Sequence, residues 1–200
     1  MKIKKLISAL VLGSMLVGLS GCNITDFSAE NLLRPPKAVG DEAEIEQLIA
    51  KTADSGYTLK YPKNGKFRSA IIMTDLDGND SNEAVAFFRN SAETSSVHML
   101  VMYSKDNSWK IASDNIFETT DIDSVDFADL TGNGKAEIIV NSTTYTPNVG
   151  KLSCYSYSEG KTNEVGSGQS CSSFVTGDFD NDGTSEIMSL VLYTTEKDRK

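Results

Sequence analysis

The sequence predicts a mostly β chain: a partial β-propeller of about three four-stranded blades, the third incomplete, with one short N-terminal helix. Three observations lead there. A nine-residue acidic loop recurs between apolar runs, as Asp75-Leu76-Asp77-Gly78-Asn79-Asp80-Ser81-Asn82-Glu83, Asp129-Leu130-Thr131-Gly132-Asn133-Gly134-Lys135-Ala136-Glu137 and Asp178-Phe179-Asp180-Asn181-Asp182-Gly183-Thr184-Ser185-Glu186. Its spacing is nearly regular, 54 residues from Asp75 to Asp129 and 49 from Asp129 to Asp178, at or just above the top of the roughly 40 to 50 of a propeller blade. The β-prone runs between the loops fall in groups of four, the strand count of one blade.

The elements follow in order. Lys2, Lys4 and Lys5 precede an uncharged run from Leu6 to Leu19, which is too short to span a bilayer comfortably and has the basic front and small-residue exit of an export signal. Residues 1–21 are therefore set aside as a signal peptide, and the mature chain is expected to begin at Cys22. Leu19-Ser20-Gly21-Cys22 resembles the lipobox of bacterial lipoproteins. That resemblance implies lipidation of Cys22 and a domain anchored to the extracytoplasmic face of a bacterial cell membrane without spanning it. Two long acyl chains hold a soluble domain far more durably than one. An ordinary secretory signal or a membrane anchor ending in cysteine is the alternative.

Residues 22–40, with Pro35-Pro36 and little apolar periodicity, read as an extended tether. Residues 41–56 form the next segment. Asp41 to Ala53 sets Ile45, Leu48, Ile49 and Thr52 on one helical face, Asp41, Glu42 and Glu44 complement the N-terminal dipole, and Gly56 lies just past the expected end. The helix is expected to pack on the domain or cap its edge.

Residues 57–200 read as strand and turn. The first group is Phe67 to Thr74, Ala84 to Arg89, Val97 to Tyr103 and Trp109 to Ser113; the second is Ser124 to Ala128, Ile138 to Thr144, Lys151 to Tyr157 and a weaker stretch at Thr162 to Val165. The third opens with Ser172 to Thr176 and Ile187 to Tyr193 and ends in the charged tail Glu196-Lys197-Asp198-Arg199-Lys200. Runs beside the loops, such as Ala70 to Met73 and Ala84 to Phe88, are continuously apolar, which burial on both faces explains. Outer strands of a blade should be more mixed, and Val97 to Tyr103 departs from that expectation.

The pattern of apolar strand, Asp-x-Asp-x-Asn/Asp-Gly-x-x-Glu and apolar strand resembles the FG-GAP or VCBS repeat of integrin-like β-propellers and many bacterial surface proteins. Phe174 to Gly183 fits it best, and the similarity extends over Phe67 to Tyr193. Thr131 replaces an acidic residue in the second loop, Gly78 precedes Asn79 in the first, and Asp80 stands where the third has Gly183. Propellers usually close with four to eight blades. Three imply either the front part of a longer design, which the short third unit favours, or a partner that covers the open faces.

Oxygen-bearing side chains at loop positions one, three, five and nine suit calcium, a hard cation that takes about six to eight oxygens at roughly 2.3–2.6 Å. The expected ligands are Asp178, Asp180, Asp182, Thr184 through its carbonyl, and Glu186 in the third loop; Asp75, Asp77, Asn79, Ser81 and Glu83 in the first; and Asp129, Thr131, Asn133 and Glu137 in the second, the least charged. An EF-hand would need a carboxylate at position twelve, where Ala86, Val140 and Ser189 stand. The alternative to a metal is a set of Asx turns, in which Asp and Asn cap nearby backbone amides.

Composition narrows the partners. Removing Lys2, Lys4 and Lys5 from 19 basic residues leaves 16 against 28 acidic ones, a formal net charge of −12 from Cys22 onward. Such a chain repels phosphate backbones, so nucleic acid is not an expected partner. Cys154 and Cys171 are read as strand-borne thiols, with a disulfide left open. His98, the only histidine, lies in a β-prone run with no nucleophile motif near it, and no catalytic residues are assigned. Trp109, Tyr103, Tyr145, Tyr155 and Tyr157 are read as packing residues before a sugar-stacking platform. The expected function is a membrane-tethered, calcium-binding interaction or scaffold module whose loops meet a protein or glycan, as the resemblance implies. An envelope enzyme acting on polysaccharide and an inactive fragment of a longer propeller protein are the alternatives.

Overall fold

An apolar run with no polar alternation needs cover on both faces, and three successive packing layers supply it. The computed structural model describes residues 40–54, 56–146 and 148–192. The readings for the signal peptide, Cys22, the tether through residue 39 and the tail from residue 193 lie outside the described residues.

The chain is mostly β, with helix α1 (Asp41–Ala53) followed by strands β1 (Tyr57–Leu59), β2 (Ile71–Thr74), β3 (Glu83–Asn90), β4 (Val97–Lys105), β5 (Ser108–Phe117), β6 (Ile122–Ala128), β7 (Glu137–Thr143), β8 (Gly150–Ser158), β9 (Lys161–Cys171), β10 (Ser173–Gly177) and β11 (Glu186–Leu190). They make three antiparallel sheets. The first runs β1-β3-β4-β5, with β2 also on β3; the second is the meander β6-β7-β8-β9; the third is the pair β10-β11. Each acidic loop joins two paired strands, β2 to β3, β6 to β7 and β10 to β11. Strands on both sides of the loops agree with rejection of an EF-hand.

Along β3 the faces separate cleanly. Ala84, Ala86 and Phe88 turn toward α1, while Val85 and Phe87 turn toward the second sheet. Strand β4 divides the same way, with Leu100 and Met102 on the helix side and Val97, Met99 and Val101 on the other. The helix buries Ile45, Ile49 and Ala53 there. Thr52, on the same helical face, is part-buried, and its hydroxyl donates to the Leu48 carbonyl at 2.9 Å within the helix. Cover by α1 explains why Val97 to Tyr103 lacks the mixed pattern of an outer strand.

Between the first two sheets, Ile122, Val125, Ile138, Val140, Tyr155 and Tyr157 meet the inner face of the first. Phe117 and Tyr155 cross that gap edge to face at 5.9 Å. The far side of the second sheet, through Ile139, Leu152 and Cys171, packs on Phe174 and Ile187 of the third.

Several boundaries differ from expectation, three of them by the most. The run from Phe67 becomes strand only at Ile71, because β1 occupies the β3 edge beyond Ala86, pairing Leu59 with Phe88 and Tyr57 with Asn90. Phe67 packs instead edge to face on Phe127 at 4.9 Å. Strand β5 continues to Phe117 past a bulge opposite Val101/Met102, and β9 reaches Cys171 although only Thr162 to Val165 is β-prone. As the exposed edge of its sheet, β9 carries Gly and Ser in place of an apolar pattern.

Truncating Ile49 should test the helix as a cover. Ile49→Ala is expected to cost about 2–5 kcal/mol, as for other buried large-to-small changes, measured as a lower urea midpoint with unchanged slope.

Candidate metal-binding loops

The three loops share a common set of side-chain-to-backbone bonds, with small differences at position one. At position one, the Asp75 carboxylate accepts from the N–H groups of Gly78 at 2.8 Å, Asn79 at 3.2 Å and Asp80 at 2.8 Å. Asp129 accepts from Thr131, Asn133 and Gly134, and Asp178 from Asp182 and Gly183. At position five, Asn79, Asn133 and Asp182 each accept from the N–H two residues on, at Ser81, Lys135 and Thr184. At position nine, Glu83, Glu137 and Glu186 reach back to accept from the position-two N–H of Leu76, Leu130 and Phe179, at 2.8, 2.8 and 2.9 Å. Asx-type bonds thus shape every loop.

Backbone conformation explains two of the departures among the three loop sequences, those at positions four and six. Positions four and six are left-handed in each, with φ of 72° and 65° at Gly78 and Asp80, 69° and 79° at Gly132 and Gly134, and 61° and 92° at Asn181 and Gly183. Glycine, asparagine and aspartate are the residues that tolerate that region. Gly78 and Asp80 therefore hold the first loop in the shape that Asn181 and Gly183 give the third.

The loops also touch in a row. Ala136 N–H donates to the Leu76 carbonyl at 3.0 Å, and Ser185 N–H to the Asp129 carbonyl at 2.8 Å. A Cβ on Gly78 would lie 2.7 Å from the Gly134 carbonyl oxygen, and one on Gly132 would lie 2.9 Å from Thr184 Oγ1.

Beyond those bonds, oxygens converge in two loops. Carboxylate oxygens of Asp178, Asp180, Asp182 and Glu186 lie within 4.8 Å of one another, as do those of Asp75, Asp77 and Glu83. The second loop brings only two carboxylates, Asp129 and Glu137, with Thr131 and Asn133 between them.

The donor set of the first loop fits a hard cation. Burial and the nearby charges of Asp77 and Asp75 push the Glu83 carboxyl up, against the lowering hydrogen bond from Leu76. Asp77 Oδ1 is buried with no hydrogen-bond partner. Desolvation opposes ionisation of Asp75, but backbone N–H groups outweigh it and hold this carboxyl below its usual range; Asp129 behaves likewise. Charge thus persists at position one, while position nine is short of a positive partner. A calcium ion there would supply positive charge and complete the bonding of Asp77.

The other residues singled out by sequence are placed differently. Trp109, Tyr155 and Tyr157 are buried, and Tyr145 is 91% exposed. Burial, with nearby negative charge, takes Tyr155 and Tyr157 up to about 12. Cys154 and Cys171 are free thiols, both pushed up by burial.

His98 stacks on Phe88 at 4.8 Å between two carboxylates that local sequence did not reveal. Its Nδ1 lies 2.9 and 3.0 Å from the Asp114 oxygens and its Nε2 lies 3.0 Å from Glu93 Oε2. Desolvation would lower its pKa, but the two carboxylates overcome that and raise it. Both ring nitrogens donate when the ring is charged.

The chain matches no protein-family model, no curated protein and no solved structure.

Two measurements follow from this geometry. Gly78→Ala should destabilise the fold by more than Gly134→Ala. Both lose the left-handed freedom of glycine, about 1–2 kcal/mol, but only the first meets a neighbouring loop, since nothing lies within 4 Å of a Cβ at Gly134. Equal urea midpoints would remove the loop-to-loop contact from the account. For His98 the native pKa is raised, so its stabilisation is complete below the unfolded value of about 6.5 and is lost as pH rises through the native value. Asp114→Asn should flatten that alkaline decline in a urea series across neutral pH.

Proposed function

We propose that this chain is a membrane-tethered, extracytoplasmic, calcium-binding module of propeller-like stacked blades, serving interaction or scaffolding, with calcium as a structural ion in the inter-strand loops. The observation that carries it is the convergence of position-one, position-three and position-nine carboxylates in the first and third of three loops that share one backbone shape. The anchor rests on the sequence alone, through Lys2 to Lys5, the apolar run and Cys22. Stacking of a five-stranded sheet, a four-stranded antiparallel meander and a two-stranded pair, each with such a loop between two of its paired strands, supports the propeller-like reading.

In the proposed sites, Asp75, Asp77, Asn79 and Glu83 would hold the first ion and Asp178, Asp180, Asp182 and Glu186 the third, with carbonyls at Ser81 and Thr184 adding oxygens. Asp129, Thr131, Asn133 and Glu137 would make the weakest site. Calcium supplies the positive charge that lets these carboxylates stay ionised close together. The chain's own part is to fix the position-one carboxylates with backbone N–H groups, so that little reorganisation accompanies binding.

His98 itself is not set up as a general base. With a carboxylate on each ring nitrogen it has no free position from which to accept a substrate proton.

Differential scanning of the purified chain tests the ion. With Kd on the order of 10⁻⁴ M and about 1 mM calcium, each occupied site should add about 1.4 kcal/mol, read as a rise in Tm that a chelator reverses. Asp178→Asn and Glu83→Gln should each remove part of that rise. An unchanged Tm at millimolar calcium would eliminate the proposal.

A further inference from the structure

The described residues contain two copies of one tripeptide, Asn64-Gly65-Lys66 and Asn133-Gly134-Lys135. Asparagine before glycine is prone to lose its amide, because no side chain on the glycine shields its nitrogen from the neighbouring carboxamide. Local sequence gives both copies that reactivity. The fold separates them.

In the reaction the glycine backbone nitrogen gives up its proton to base in solution and attacks the asparagine Cγ. A carbon–nitrogen bond forms there, the bond from Cγ to Nδ2 breaks, and Nδ2 leaves as ammonia with a proton from water. Water then opens the resulting succinimide at either carbonyl, leaving aspartate or the isomer whose backbone runs through the side chain. The step therefore needs a glycine N–H that is free to lose its proton.

In the second acidic loop that N–H is engaged. Gly134 N–H donates to Asp129 Oδ2 at 2.7 Å, and deprotonation there would set a new negative charge against a carboxylate. The Asp-Gly bonds of the other loops, which could close the same ring, are guarded alike. Gly78 N–H donates to Asp75 at 2.8 Å and Gly183 N–H to Asp178 at 3.0 Å.

Asn64 and Gly65 lie between β1 and β2, both exposed, and the Gly65 N–H has no partner among the described residues. Each asparagine side chain makes one hydrogen bond, Asn64 Nδ2 to Asp123 Oδ1 at 2.9 Å and Lys135 N–H to Asn133 Oδ1 at 2.8 Å. The contrast between the two sites thus rests on the glycine nitrogen.

We propose that Asn64 is a site of spontaneous deamidation and that Asp129 protects Asn133, which stands in the same tripeptide. The product matters at Asn64. A carboxylate there no longer donates to Asp123 and places a like charge against it, where Asn64 N–H also bonds the Asp123 carbonyl at 2.7 Å. Deamidation is therefore a one-way loosening of the link between the β1–β2 connection and the start of β6.

Tandem mass mapping of the full chain, held for days at mildly alkaline pH in chelator, reads both sites in one sample without any ion contributing to protection. The expected result is amide-to-acid conversion at least tenfold faster at Asn64 than at Asn133 in the folded chain, with the two rates converging in urea. Asn64→Asp, which copies the charge of the product, should lower the urea midpoint. Comparable rates in the folded chain, faster conversion at Asn133, the same rate ratio in urea as in the folded chain, or no conversion at Asn64 would overturn the proposal. An unchanged midpoint for Asn64→Asp would overturn the loosening.

Discussion

Burial of sheets on both faces is the constraint from which the rest follows. Strands β3, β4 and β7 are apolar at consecutive positions, and a strand of that kind exposes a hydrophobic surface unless something lies above and below it. The first sheet has α1 on one side and the second sheet on the other; the second sheet has the first and the third. Helix and sheet are interchangeable as covers because both present an apolar face about 10 Å from the sheet they pack on. This is why a short helix with only Ile45, Ile49 and Ala53 fully buried can stand where a neighbouring sheet would otherwise be required.

Much of this was legible because two signals were local. The helix spans Asp41–Ala53 as its acidic first turn and apolar spacing indicate, and ten of the eleven strands fall on runs that β-propensity marks out. The loops were legible because their shape is encoded within nine residues: position one receives backbone N–H groups, position five caps position seven, and positions four and six take residues that accept positive φ. The differences among the loops, such as Gly78 before Asn79, are alternative solutions to the same two dihedral demands.

What was not legible depends on distant pairing. Strand β1 has only three residues, too few to show a period, and exists because Phe88 to Asn90 offer an open edge. The start of β2 moved to Ile71 for the same reason. The apolar character of β4 conflicted with an outer position until α1 was seen to cover it. Glu93 and Asp114 flank His98 from a turn and from β5, and no spacing in the sequence brings those three together. Asn141 reads as an ordinary polar residue near a strand end, and only the approach of Asp123 and Gly150 turns it into a buried amide with a free acceptor.

The three loops do not depend equally on an ion under the proposed reading. The first and second are closed by sheets of five and four strands, whose pairing holds the loop ends in place. The third closes only the β10-β11 pair, and two strands alone are marginal in water. That pair is retained by Phe174 and Ile187 on the second sheet, by Thr176 Oγ1 donating to Asp126 at 2.6 Å and by Ser185 N–H on Asp129. Its opposite face leaves Val175, Met188 and Leu190 more than half exposed. Yet this loop gathers four carboxylates, the largest concentration of like charge among the three. The greatest repulsion therefore coincides with the least protein support, and it is at the third loop that neutralisation by calcium would contribute most to order.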